Sequence, residues 1–286
     1  MKYALVFIAC LTVGFLVALG VSQGGKTDGM LPIFMIGAAV AFLVNWLAFI
    51  PALIARTEKY YDLTGMITYL SVIGITSYLA SPLPVRAVLV AALVSIWTLR
   101  LGSFLFSRIS RDGGDSRFDE IKTNTPRFLN AWTLQGLWVL LTSAAAVAVI
   151  TSKQDVPLGI WAYVGLAVWV VGFAIEVIAD QQKSAFRKDY ANKGKFISSG
   201  LWAWSRHPNY FGEIMLWVGI AIIAVPVLSG WQWVAMISPV FVYLLLTKVS
   251  GVPMLEAKSQ KKWGDDPRYQ EYVKNTPVLM MRPPKK

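Results

Sequence analysis

The sequence predicts an all-α integral membrane protein, a polytopic bundle of about seven to eight transmembrane helices. Three observations predict it. Hydrophobic residues make up 56% of the 286-residue chain and charged residues only 15%, a balance more apolar than that of soluble domains. The apolar stretches have the length an α-helix needs to cross a bilayer, and none alternates like a strand of an outer-membrane barrel. The cations fall in alternate loops, as the positive-inside rule requires.

Eight segments are expected to be helical spans. The first, 3–21, follows Lys2, so a signal peptide is its alternative reading; against that, the run is long and no small-x-small cleavage site follows. The second covers 31–54. The third, 63–80, is entered through Glu58-Lys59-Tyr60-Tyr61-Asp62-Leu63-Thr64-Gly65. Tyr and Asp side by side at a membrane boundary suit an aromatic belt with a helix cap, or a set of proton donors facing a lipophilic molecule. The fourth, 85–107, contains Arg100 and leads into Arg108-Ile109-Ser110-Arg111-Asp112-Gly113-Gly114-Asp115-Ser116-Arg117-Phe118. If its helix continues, Arg100, Arg108 and Arg111 share one face, and an arginine within a span needs an anion or a wet cavity. The fifth covers 131–151. The sixth, 158–179, continues as a helix that places Glu176, Asp180, Lys183 and Arg187 on one face, as either an ion-pair ladder or the wall of a cavity. The seventh and eighth, 211–228 and 231–250, are followed by a tail from residue 251 that carries Glu256.

With eight spans, the N-terminus, the second, fourth and sixth loops and the tail hold 23 Lys and Arg, counting Lys248 at the end of the eighth span with the tail, against three on the other side, Lys26, Arg86 and Lys153. Both termini are then cytoplasmic. The net charge of +11 is thus a topology signal rather than a sign of nucleic-acid binding, since the basic residues sit in short loops. Cys10 lies alone in an apolar helix, which excludes disulfides and zinc sets. A single histidine excludes a His-rich metal centre, and no metal is expected. No internal repeat or linker divides the chain, so one membrane domain, 1–286, is expected, with N-terminal spans over 1–57 and a core over 58–286.

The densest chemistry lies in Ser205-Arg206-His207-Pro208-Asn209-Tyr210-Phe211-Gly212-Glu213, directly before an apolar run. Polar groups so placed are expensive and mark function. Pro208 suits the first turn of a helix, which gathers Arg206, His207, Asn209, Tyr210 and Glu213 about its N-terminus, where an anion is favoured. Capping by Pro208 and Asn209, with Trp202 and Trp204 as interfacial anchors, would not require Arg, His, Tyr and Glu together.

Gly200-Leu201-Trp202, the motif from Ser205 to Ile214, Trp217 and Gly219 resemble the C-terminal domain of the steroid 5-alpha-reductase family, chiefly its bacterial members. The Arg108–Phe118 loop and Asp180-x-x-Lys183-x-x-Phe186 are similar to the same group, and the resemblance covers roughly residues 60–280. It implies a multi-pass protein of the bacterial inner membrane that uses NADPH to reduce a carbon–carbon double bond conjugated to a ketone. The expected partners are a steroid-like lipophilic enone and the bilayer, with no nucleic acid and no obligatory protein partner, and the cavity lies within the bundle. The implied cofactor set is Arg100, Arg108, Arg111, Glu176, Asp180, Lys183, Arg187, Trp204, Ser205, Arg206, His207, Asn209, Tyr210, Glu213 and Glu256. Glu58, Tyr60, Tyr61 and Asp62 are the candidates for catalysis at the carbonyl end. By spacing, Asp62 falls near the family's substrate-binding Gln, Trp97 where Tyr is expected, and Glu256 near the place of a tail histidine. Isoprenylcysteine carboxyl methyltransferases carry a similar Arg-His-Pro-x-Tyr, so S-adenosylmethionine-dependent methyl transfer is the alternative. The cytoplasmic arginines favour NADPH, whose phosphates need cations. A transporter or lipid-binding protein would not need the arginines and the motif together.

Overall fold

A computed structural model describes residues 1–284, apart from the side chains of Arg111, Asp112 and Ser116. The helices are α1 (Lys2–Ser22), α2 (Ile33–Ala55), α3 (Tyr61–Leu79), α4 (Val85–Asp112), α5 (Thr125–Ile150), α6 (Ile160–Lys188), α7 (Pro208–Ala224), α8 (Ile237–Leu244), α9 (Gly251–Trp263) and α10 (Pro267–Asn275). The exception to the all-α expectation is a hairpin of two-residue strands, β1 (Thr27–Asp28) and β2 (Leu31–Pro32), between α1 and α2.

Among the described residues, seven helical segments are long and apolar enough to cross a bilayer, so the chain is a multi-pass integral membrane protein. α3, expected as a span, is not one of the seven. It has 19 residues, but Asp62, five Thr or Ser and three Tyr dilute its apolar character. Two helices outrun their apolar stretches: α4 continues to Asp112 and α6 to Lys188. The last helical run does not end at 250. A 3₁₀ segment (Gly230–Met236), α8, a π-helical turn (Leu245–Val249) and α9 follow one another to Trp263, with the Ser250 N–H bonded to the Leu245 carbonyl at 2.9 Å. Such π turns interrupt helices at specialised places.

The chain packs as two compact units. Unit 1 comprises Met1–Ala162 with Ile223–Ser238. Its centre is α5, whose final turns from Leu137 to Ile150 are almost wholly buried. The small residues Ser143, Ala144, Ala145 and Ala146 and the glycine Gly136 let neighbours approach closely; a Cβ on Gly136 would lie 2.9 Å from the Ala41 carbonyl oxygen. Arg86, 3% exposed, donates to the carbonyls of Val156, Pro157 and Ile223 and ties the end of α4 to its surroundings.

Unit 2 comprises Tyr163–Ile222 with Pro239–Lys286. α6 and α7 meet through glycines. A Cβ on Gly212 would lie 2.5 Å from the Gly172 carbonyl oxygen and 2.7 Å from the Glu176 nitrogen, and a Cβ on Gly219 2.6 Å from the Gly165 carbonyl oxygen. Gly165 and Gly172 on α6, and Gly212 and Gly219 on α7, are each one heptad apart, so backbone packs on backbone over two turns of each helix. This approach sets Glu176 against the first turns of α7.

Candidate functional site

Unit 2 holds the densest polar cluster, and the Arg206–Glu213 motif is its centre. Arg206 and His207 are fixed from the tail: Glu256 on α9 accepts from Arg206 Nη1 at 2.6 Å through Oε2 and contacts His207 Nε2 at 2.7 Å through Oε1. The imidazole stacks on Tyr210, ring centroids 5.6 Å apart and planes 8° apart. α7 begins at Pro208, as the sequence indicates. One residue on, the Asn209 amide donates to Asp180 Oδ1 of α6 at 3.2 Å. Glu176, Asp180, His207 and Glu213 are all buried, a concentration of ionisable groups that makes this a candidate site.

The tail completes the cluster. The Arg206 N–H donates to the Pro277 carbonyl, the Arg282 N–H donates to the Trp204 carbonyl, and the Ser205 hydroxyl donates to the Leu279 carbonyl at 2.8 Å while accepting the His207 N–H. The segment 277–282 thus backs the motif as a strap. Tyr272 donates to the Trp202 carbonyl at 2.7 Å, and Lys183 lies 4.2 Å from the centroid of the Trp202 ring.

Two polar atoms in this cluster are buried and have no hydrogen-bond partner: Arg206 Nε and His207 Nδ1. Buried polar groups left so are few in native proteins, and a bound molecule or water is one way to satisfy them. A guanidinium N–H and an imidazole nitrogen, with Lys183 and Arg187 on the same unit, suit an anionic, hydroxyl-rich ligand such as a dinucleotide.

Burial pushes the His207 imidazole below its ordinary value; Glu256 opposes the shift, while Lys183 and Arg206 add to it. The unfolded chain, with an ordinary imidazole near ~6.5, then binds the proton more readily than the folded one. Stability is at its full value above about pH 6.5 and declines as the pH falls from there through the folded value. His207 is the only histidine, so the difference in slope between the wild type and His207→Gln over about pH 7 to 5.5 belongs to it. The melting temperature of the wild type is expected to fall relative to that of His207→Gln as the pH is lowered over that interval; parallel curves would show that His207 is not held neutral.

Unit 1 gathers the other charged set at the start of α3 and the end of α4. Glu58, 6% exposed, accepts the Asp115 N–H at 3.1 Å and pairs with Lys122 at 3.0 Å. Burial alone would raise its carboxyl, but these two donors hold it below the usual carboxylate range. Asp115 in turn binds the Arg117 guanidinium. The Tyr61 hydroxyl donates to the Ala131 carbonyl at 3.0 Å, and its ring packs on Phe118 and Trp132. Asp62 lies 3.9 Å from Arg108; burial raises its carboxyl above the usual range, against the pull of Arg108 and Arg117.

Of the expected site residues, Arg206, His207, Asn209, Tyr210, Asp180 and Glu256 come together by contact in unit 2, with Glu176 and Glu213 buried beside them on the packed helices. Ser205 serves the strap, Trp204 is 40% exposed, and Arg187 stands on the exposed last turn of α6. Arg100, in unit 1, lies over the Phe104 ring at 5.3 Å, Tyr60 is exposed, and the side chain of Arg111 lies outside the described residues. The glycine contacts and the strap were not among the expected features. The heptad spacing of the glycines was visible in the sequence; the strap carries no such signal.

A protein of Schizosaccharomyces pombe described as uncharacterized is 23% identical over 197 residues, 58% of this chain and 57% of its own length. A steroid 5-alpha-reductase of Gossypium hirsutum (DET2) is 30% identical over 116 residues, 41% of this chain and 40% of the relative. The 3-oxo-5-alpha-steroid 4-dehydrogenase 1 of Rattus norvegicus is 26% identical over 116 residues, 41% of this chain and 39% of the relative. The alignments thus span between about two fifths and three fifths of these relatives. No solved structure matches the chain. Residues 48–276 match one family model along most of the chain, and the protein belongs to that family, described as Protein of unknown function (DUF1295).

Proposed function

We propose that this protein is a membrane-embedded, NADPH-dependent reductase of the carbon–carbon double bond of a lipophilic enone in a bacterial inner membrane, with Δ4-3-ketosteroids as the substrate class. The observation that carries the reading is the Arg206–Glu256–His207 cluster, whose buried Arg206 Nε and His207 Nδ1 atoms are without partners. The distant, partial similarity to two steroid 5-alpha-reductases supports the reaction class.

NADPH, when bound, supplies the reducing equivalent for a conjugated double bond. The chain's residues bind and orient. Glu256 neutralises Arg206 through Nη1, which leaves Nε without a protein partner and able to donate to the ligand. Asp180, steadied by Asn209, is an acceptor for sugar hydroxyls, and Lys183 and Arg187 are the cations for phosphate. A neutral His207, held by Glu256 on one nitrogen, offers the other as a hydrogen-bonding group. Reduction of an enone develops negative charge on the carbonyl oxygen, which needs a proton donor. Asp62 is the donor in this reading, since burial raises its carboxyl and the Tyr61 hydroxyl is already committed to Ala131.

Melting of the detergent-extracted protein with NADPH and with S-adenosylmethionine tests the cofactor. A ligand at about 100 times its dissociation constant adds about 2.7 kcal/mol, a shift of several degrees. Stabilisation by NADPH alone is expected. Stabilisation by S-adenosylmethionine alone would replace the reductase with a methyltransferase.

A further inference from the structure

We propose that five lysines around Trp263 in unit 2 form a binding surface for anionic phospholipid headgroups. Lys258, Lys261 and Lys262 stand at i, i+3 and i+4, on one side of α9 in its last turns. The Trp263 indole N–H donates to the Gly194 carbonyl at 2.6 Å, and Lys193 and Lys195 flank that glycine in sequence. Gly194 has a φ of 82°, a left-handed conformation that favours glycine, and Phe196 packs on both Trp263 and Tyr269. The loop therefore brings two lysines to the end of the helix that carries the other three. All five are exposed.

Among the described residues, none of the five takes part in an ion pair, while the nearby acids are engaged elsewhere. Asp189 accepts from the Ala191 N–H, Glu256 holds Arg206 and His207, and Asp266 pairs with Arg268; Asp265 and Glu271 are the remaining carboxylates in these stretches. Lysines held this close by a fixed scaffold repel one another, and an anion relieves the repulsion.

The chemistry favours lipid over other anions. α9 completes the membrane-spanning run Gly230–Trp263, and basic clusters adjoining a span bind anionic headgroups. The lysines are paired with amphipathic rings, Lys262 over Trp263 at 4.5 Å and Lys193 over Tyr190 at 5.3 Å, and such rings settle at the level of the headgroups. Ammonium groups on flexible stems suit headgroups that move laterally, whereas a fixed phosphate is better held by the guanidinium fork.

The test uses the full chain in nanodiscs that mix phosphatidylglycerol with phosphatidylcholine, followed by native mass spectrometry of the lipids retained. The wild type should keep phosphatidylglycerol in about threefold or greater preference, a preference that collapses at 1 M salt, where the Debye length is only about 3 Å. In K193S/K195S/K258S/K261S/K262S the preference should vanish while the melting temperature in phosphatidylcholine stays that of the wild type. Where that variant melts early, K258Q/K261Q/K262Q takes its place and should lose at least half of the preference. Equal phosphatidylglycerol retention by the wild type and a stably folded variant overturns the proposal. So does displacement of the lipid by millimolar inorganic pyrophosphate, which would mark a site for soluble anions, or tighter binding of a poly-glutamate peptide than of the anionic nanodisc.

Discussion

Glu256→Ala is expected to lower stability by about 2–4 kcal/mol and to weaken NADPH binding by more than tenfold. One carboxylate carries two bonds, to Arg206 Nη1 and to His207 Nε2. The Arg206 side chain is 11% exposed and that of His207 6%, so deletion leaves a guanidinium cut off from water and without its counter-ion. The discount from the full cost of breaking a buried pair reflects Glu256 itself, which is 29% exposed and partly hydrated. At about 2–4 °C per kcal/mol for a chain of this size, the melting temperature should drop by roughly 5–15 °C. Glu256→Gln keeps an acceptor for one partner and should fall between the two. A Glu256→Ala protein that melts with the wild type would remove the carboxylate from the centre of the site.

Gly212→Val is expected to cost about 3 kcal/mol or more. The added atoms meet the Gly172 carbonyl and the Glu176 nitrogen at 2.5 and 2.7 Å. Both are backbone, so no rotamer change relieves the clash and α6 must move away from α7. That movement also withdraws Asp180 from Asn209, whose bond joins the two helices. Melting should fall together with NADPH affinity, whereas Gly74→Ala, where a Cβ meets nothing within 4 Å, should leave both intact. Wild-type melting of Gly212→Val would mean that the two helices are not in close contact.

The fold was largely legible because bilayer spans announce themselves by length and apolar composition. The extensions of α4 and α6 were legible too, since Arg100, Arg108 and Arg111, or Glu176, Asp180, Lys183 and Arg187, keep helical spacing beyond the apolar run. The continuation past residue 250 was hidden: α9 is too polar to read as a span, and the π turn at Leu245–Val249 has no local signature. Within the site, spacing exposed the neighbours in Arg206–Glu213 but not their partners. Glu256 reaches Arg206 and His207 across about fifty residues, and a contact of that separation leaves no periodic trace. The cluster at 58–62 shows the opposite limit. Adjacent acids and tyrosines look alike in sequence, yet Glu58 pins the loop at Asp115 and Lys122, Tyr61 is tied to Ala131, and Asp62 keeps a raised carboxyl.

Transfer of label tests the proposed reaction most directly. The purified full-length protein is given progesterone and NADPH deuterated at the nicotinamide, and the product is read by mass spectrometry and NMR. The account predicts a saturated ring with deuterium at C5, a solvent-derived hydrogen at C4 and the 3-ketone intact, with turnover reduced more than cofactor affinity in Asp62→Asn. Deuterium at C3 in an alcohol, or an untouched enone alongside methyl transfer from S-adenosylmethionine to a lipidic acceptor, would contradict it.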